Sequence, residues 1–259
     1  MNRFEKVFAN PNRKALVAFV TAGYPSMEAT LDIVPKLVEH GCDIIELGIP
    51  FSDPLADGAT LQEASFLALQ RGVTPPECIR AAAQLRKKVQ APIVFLTYYN
   101  PVLAAGLENF CRESARAGVD GFIIPDLPPQ EAEELDQYAA PAGLNLIYMI
   151  APNSPDYRIK MAAEKASGFM YLVSLTGVTG ARTSLPKDLE DFVTRVRKLT
   201  HTPLCVGFGI STAEQAKRVA GIADGVIVGS RLVQLMKEGD EKKLLGWIDS
   251  LRAALDSAG

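Results

Sequence analysis

Eight short apolar runs alternate with longer amphipathic stretches along the whole chain, and this alternation restricts the fold more than any other feature. The runs cover residues 16–21, 43–48, 93–98, 121–125, 145–150, 169–174, 204–208 and 225–228. They are nearly continuous in hydrophobicity, as parallel strands covered on both faces must be. Between them, Leu31/Val34/Val38 and Leu61/Ala64/Ala68 recur at helical spacing, as do Leu244/Ile248/Leu251/Leu255 near the end. Pro35 falls inside the first of these patterns and predicts a kink or a displaced helix boundary. Three strand entries follow similar phrases, His40-Gly-Cys-Asp43, Ala117-Gly-Val-Asp120 and Pro141-Ala-Gly-Leu144, each with a glycine suited to stop a helix.

Eight β-then-α units without a long polar linker predict a single (β/α)8 TIM barrel over residues 1–259, with extra short helices. An open, doubly wound sheet is the alternative. The dinucleotide fingerprint Gly-x-Gly-x-x-Gly after its first strand is missing, since the chain there reads Thr21-Ala-Gly-Tyr-Pro25.

A formal net charge of −3 and the lack of a basic run with interleaved aromatics give no reason to expect nucleic acid or an anionic membrane as partner. Residues 1–12 are polar and charged with no signal-peptide core, and no apolar run reaches spanning length, so cytoplasmic residence is expected. Cys42, Cys78, Cys111 and Cys205 are scattered without a Cys-x-x-Cys pair and read as reduced thiols. Only two histidines occur, His40 and His201, each just before a predicted strand. That scarcity argues against a metal site and against Ser-His-Asp hydrolysis, and leaves carboxylates as the expected acid/base groups.

Barrel chemistry sits at the C-terminal ends of strands. Those ends carry Phe19 and Thr21, then Glu46 and the Asp53–Asp57 loop, Leu96-Thr-Tyr-Tyr-Asn-Pro101 and Pro125-Asp-Leu-Pro-Pro129. Glu46 lies between Ile45 and Leu47. Burying it raises its pKa toward neutrality, the condition for a general acid/base. The plainer alternative is a strand-end Glu beside a loop whose Asp residues cap the next helix. Tyr171 lies in the sixth predicted strand, which feeds a Gly-, Thr- and Ser-rich loop over 175–185 suited to a lid. Gly180, Gly209 and Gly229 admit an anion close to backbone N–H groups, and Ser230 adds a hydroxyl at a helix start. Gly207-Phe-Gly209 together with Gly229-Ser230 is the more specific part of this signal and predicts a phosphorylated small substrate. Glycines at strand ends also serve simply as turns.

The string from Glu46 to Gly58, Glu-Leu-Gly-Ile-Pro-Phe-Ser-Asp-Pro-Leu-Ala-Asp-Gly, resembles the signature of the tryptophan synthase alpha subunit family. The resemblance continues through Ala18-Phe-Val-Thr-Ala-Gly-Tyr-Pro25, Thr97-Tyr-Tyr-Asn-Pro101, Pro125-Asp-Leu-Pro128, Gly177-Val-Thr-Gly180 and Val206-Gly-Phe-Gly-Ile-Ser211, in one collinear order. It implies a lyase that splits indole-3-glycerol phosphate into indole and glyceraldehyde 3-phosphate by a retro-aldol reaction, without a metal or organic cofactor in this chain. It implies Glu46 as proton shuttle, Asp57 as acceptor of the indole N–H and Tyr171 as an orienting group. Phe19, Leu96 and Phe208 are then the indole slot, and Gly180, Gly209, Gly229 and Ser230 the phosphate site. The loop containing Thr179 is implied as lid. Position 175 is Leu, where some relatives carry a longer polar side chain, so a loop–loop contact made there is not expected.

The resemblance also implies an αββα heterotetramer with a pyridoxal-phosphate beta subunit, with Asp53, Asn100 and Asp126 on the docking face. A free-standing lyase, another sugar-phosphate enzyme on the same barrel and a non-catalytic activator of the beta subunit are the alternatives. Glu46 and Asp57 together argue against the last.

Overall fold

In the computed structural model, residues 2–173, 188–207 and 209–258 are described. Their strands are β1 (Ala15–Thr21), β2 (Ile44–Gly48), β3 (Ile93–Leu96), β4 (Gly121–Ile123), β5 (Asn145–Ile147), β6 (Met149–Ile150), β7 (Met170–Val173), β8 (Leu204–Gly207) and β9 (Gly225–Val228). They pair in parallel in the order β5-β4-β3-β2-β1-β9-β8-β7-β6. β5 and β6 are two pieces of the predicted strand 145–150, parted at Tyr148. β5 pairs with β4 and β6 with β7, so the chain itself joins the two edges of the sheet. This is the expected barrel, and the open sheet is excluded.

Two strands, β3 and β4, stop two residues earlier than expected. β3 stops at Leu96 because Tyr98 is the N-cap of a helix, Tyr99–Ala105, and β4 stops before Pro125, which has no N–H for the ladder. The helix Met27–Glu39 continues past Pro35, so its boundary is not displaced there. Lys88 Nζ donates to the Leu31 carbonyl, which Pro35 cannot serve, at 3.4 Å. Gly41, Gly118 and Gly143 all have positive φ, as their place at helix ends predicted.

Strand alternation sorts the core into two parts. Leu16, Ala18, Val20, Ile45, Leu47 and Phe95 belong to the large outer cluster shared with the helices. Val17, Ile44, Val94, Ile123, Ile147, Phe169, Cys205 and Ile227 form a separate interior cluster. Phe4, on the N-terminal helix Arg3–Val7, joins that interior cluster at the strand-entry end, its ring 6.0 Å from that of Phe169.

The same end repeats one device three times. Asp43, Asp120 and Asp224 each stand one residue before a strand. Each donates its backbone N–H to the first or second residue of the neighbouring strand, and its carboxylate accepts that residue's N–H in return. Arginines then close each carboxylate: Arg13 and Arg252 on Asp43, Arg3 and Arg86 on Asp120, Arg197 on Asp224. The Arg86–Asp120 pair, at 2.6 Å, is the driest of these on both sides apart from Arg252–Asp43. Asp120→Ala strands the Arg86 guanidinium in a site with little water. It is expected to cost about 3–5 kcal/mol in urea unfolding, as breaking one side of a buried pair does, without changing chemistry at the far end of the barrel.

Candidate active site

Glu46 points into the barrel because Ile45 and Leu47, its neighbours along β2, face the helices. Its register partners are Phe19 on β1 and Val94 on β3. The side chain is fully buried, and neither carboxyl oxygen has a hydrogen-bond partner among the described residues. Burial pushes its pKa up to about 8, so the group holds a proton at neutral pH.

Asp57 closes the loop that follows β2, its N–H bonded to the Pro54 carbonyl at 3.0 Å. It is 8 % exposed, and burial raises its pKa to about 7 against the opposing hydrogen bond of the Tyr98 hydroxyl. The helix Ala59–Gln70 has Gly58, the residue after Asp57, as its N-cap.

Tyr171 on β7 is buried against Gly207, where a Cβ would fall 2.4 Å from the tyrosine oxygen. Desolvation first, then the nearby Glu46 and Asp57, hold its hydroxyl protonated well beyond the ordinary phenol range. Glu46 and Asp57 are therefore both electrostatic neighbours of Tyr171, whose hydroxyl is a neutral phenol and not a base. Gly48 plays the same part for Phe19, whose Cζ would lie 2.6 Å from a Cβ there. Leu96, the register partner of Gly48, packs with Phe19, Tyr24 and Leu61.

On the neighbouring rim, Gly209 follows β8 at φ +84° and Gly229 follows β9 as N-cap of the helix Ser230–Glu238. β8 and β9 are paired through Cys205–Gly225 and Val206–Val226, so these two turns and Ser230 sit side by side. Phe208, Thr179 and Gly180 lie outside the described residues, as does Leu175. Among the described residues no group of His, Cys, Asp and Glu could hold a metal ion.

Asp53, Asn100 and Asp126, the residues that the resemblance implies for a docking face, are exposed. Asp53 accepts from Ser52 Oγ, and Asp126 accepts the Tyr99 N–H at 2.9 Å, which fastens the start of the helix carrying Asn100. Leu55, 84 % exposed, projects from the same loop as Asp53.

Tyr98 escaped the reading of the sequence, which placed it inside a strand. Pro101, two residues into a helix that starts at Tyr99, was the available signal for a loop at Tyr98.

A family model described as tryptophan synthase alpha chain matches residues 5–251. The tryptophan synthase alpha chain of Dehalococcoides mccartyi is 55% identical over 257 residues, covering 99% of this chain and 100% of its own length. That of Geotalea uraniireducens is 46% identical, with both chains covered in full. Among solved structures, a Mycobacterium tuberculosis tryptophan synthase chain superposes with TM-score 0.91 at 38% identity, covering 98% of this chain and 96% of the other. Tryptophan synthase subunit alpha of Legionella pneumophila gives 0.91 at 34% identity, covering 99% of each.

Proposed function

The chain belongs to the tryptophan synthase alpha chain family, an enzyme family of tryptophan biosynthesis, and from that premise we propose that it cleaves indole-3-glycerol phosphate to indole and glyceraldehyde 3-phosphate. The observation that carries this reading is the pairing of two buried carboxyls of different proton affinity, Glu46 near 8 and Asp57 near 7, around a neutral Tyr171. Near neutrality the first is mostly an acid and the second divides between carboxylate and acid.

Glu46 gives its proton to C3 of the indole. The Asp57 carboxylate accepts a hydrogen bond from the ring N–H and stabilises the positive charge that develops on nitrogen. Glu46, now ionised, takes the proton of the hydroxyl on the carbon attached to C3. The C–C bond breaks, its electron pair restores the aromatic ring, and the hydroxyl carbon becomes the aldehyde. Glu46 ends protonated, ready for another cycle. Phe19 and Leu96, with Phe208, sandwich the indole. Gly209, Gly229 and Ser230, with Gly180, hold the phosphate through N–H groups and the helix start. Thr179 rides on the lid.

This chemistry calls for no cofactor in this chain. Pyridoxal phosphate belongs to a beta subunit that docks against Asp53, Asn100 and Asp126 in an αββα complex and receives the indole, working in the cytoplasm. The test is indole release from indole-3-glycerol phosphate by the purified chain, with and without a beta subunit. Slow release that accelerates on adding the beta subunit is expected. Fast release by the chain alone assigns a free-standing lyase, and no release under either condition overturns the reading.

A further inference from the structure

Tyr98 occupies a place that the proposed chemistry leaves without a task. It is buried, yet it comes from the turn after β3 and reaches across to the loop after β2. Its oxygen accepts the Ala56 N–H at 2.9 Å, one residue before Asp57. Its ring stacks on Phe51 from the beginning of that same loop, with centroids 5.3 Å apart and planes inclined by 29°. Both ends of the 51–57 segment are thereby tied to one side chain on a different strand end. Between the ties, the Asp57 N–H to Pro54 carbonyl bond closes a tight turn, and Gln62 Nε2 holds the Asp57 carbonyl at 3.0 Å from the helix side.

Resting on the reading given above, we propose that Tyr98 is a positioning residue, which holds the Phe51–Asp57 loop so that the Asp57 carboxylate meets the indole N–H. The phenol hydroxyl is amphoteric: while its lone pair takes the Ala56 N–H, its proton is available to the Asp57 carboxyl. That bond favours the ionised form, which is the form able to accept from the substrate, and it works against the desolvation that raises Asp57. Among the described residues, the titratable groups coupled to Asp57 are Tyr98 from the β3 end, itself near Asp126, and Tyr171 from β7, itself near Glu46. Tyr98 is the one among these whose hydrogen bond pulls Asp57 toward ionisation.

Tyr98→Phe keeps the stack on Phe51 and removes only the hydroxyl. Turnover of indole-3-glycerol phosphate is expected to fall about 10- to 100-fold, the range for a lost hydrogen bond to a charged group, with KM little changed. The acid limb of the kcat/KM profile, where Asp57 must lose its proton, is expected to move to higher pH. In an Asp57→Asn background, measured in single turnover with enzyme in excess, Tyr98→Phe is expected to cost nothing further. A uniform loss with an unmoved limb, or an equal loss in the Asp57→Asn background, would reduce Tyr98 to a packing residue and overturn the proposal. Full activity of Asp57→Asn itself would instead overturn the assignment of Asp57 on which it rests. Circular dichroism of Tyr98→Phe confirms that a folded barrel is being compared.

Discussion

Replacing Glu46 with Gln is expected to lower turnover of indole-3-glycerol phosphate by about 10²–10⁴-fold, with KM changed little. The amide keeps the size of the carboxyl and its place between Phe19 and Val94 across the sheet, but cannot give or take a proton in the working pH range. Steady-state indole release measured where chemistry limits the rate decides the matter. Retention of most of the wild-type kcat would remove Glu46 from its role. The same substitution has a second signature in stability. In the unfolded chain Glu46 loses its proton near pH 4.5, whereas in the barrel it keeps it up to about 8. Its raised pKa therefore contributes stability that is fully present below the unfolded value and lost as pH rises through 8. Gln carries no such dependence. The stability of Glu46→Gln relative to wild type is expected to grow steadily from pH 5 to pH 8 and then level, read from urea midpoints across that range.

Asp57→Asn is expected to cost about 10²–10³-fold in kcat, because a neutral amide cannot stabilise the cation that forms at the indole nitrogen. The pH profile separates it from Glu46. Wild-type kcat/KM should be bell-shaped, rising through about 7 as Asp57 ionises and falling through about 8 as Glu46 loses its acid proton. Asp57→Asn should lose the acid limb and keep the basic one. Glu46→Gln should lose the basic limb and keep what remains of the acid one. Both limbs surviving in either variant would reassign that carboxylate.

Glu46 was legible because period-two alternation is a local rule: with Ile45 and Leu47 committed to the helices, the residue between them has one direction left. Asp57 was not settled that way, since an Asp two residues before a helix suits capping as well as chemistry. What the tertiary structure adds is its burial, 8 % exposed beside Tyr98, which no local pattern announces. Gly209 was read as part of an anion cradle, and Gly207, two residues earlier, was quoted with it only as part of the motif. Gly209 has a left-handed backbone, whereas Gly207 is small because the Tyr171 ring lies on it. Tyr98 was hidden because its partners, Phe51 and Ala56, are more than forty residues away in the chain. The Asp120 clasp with Arg3 and Arg86 was hidden for the same reason.

The sequence by itself determined the succession of strands and helices, the face on which Glu46 sits and the family to which its strings belong, because periodicity and motif are short-range properties. The tertiary structure alone decided which strand ends share a rim and how strongly each carboxyl holds its proton. Desolvation is a property of the closed ring of strands, since it depends on everything that surrounds a group and on how little water that enclosure leaves.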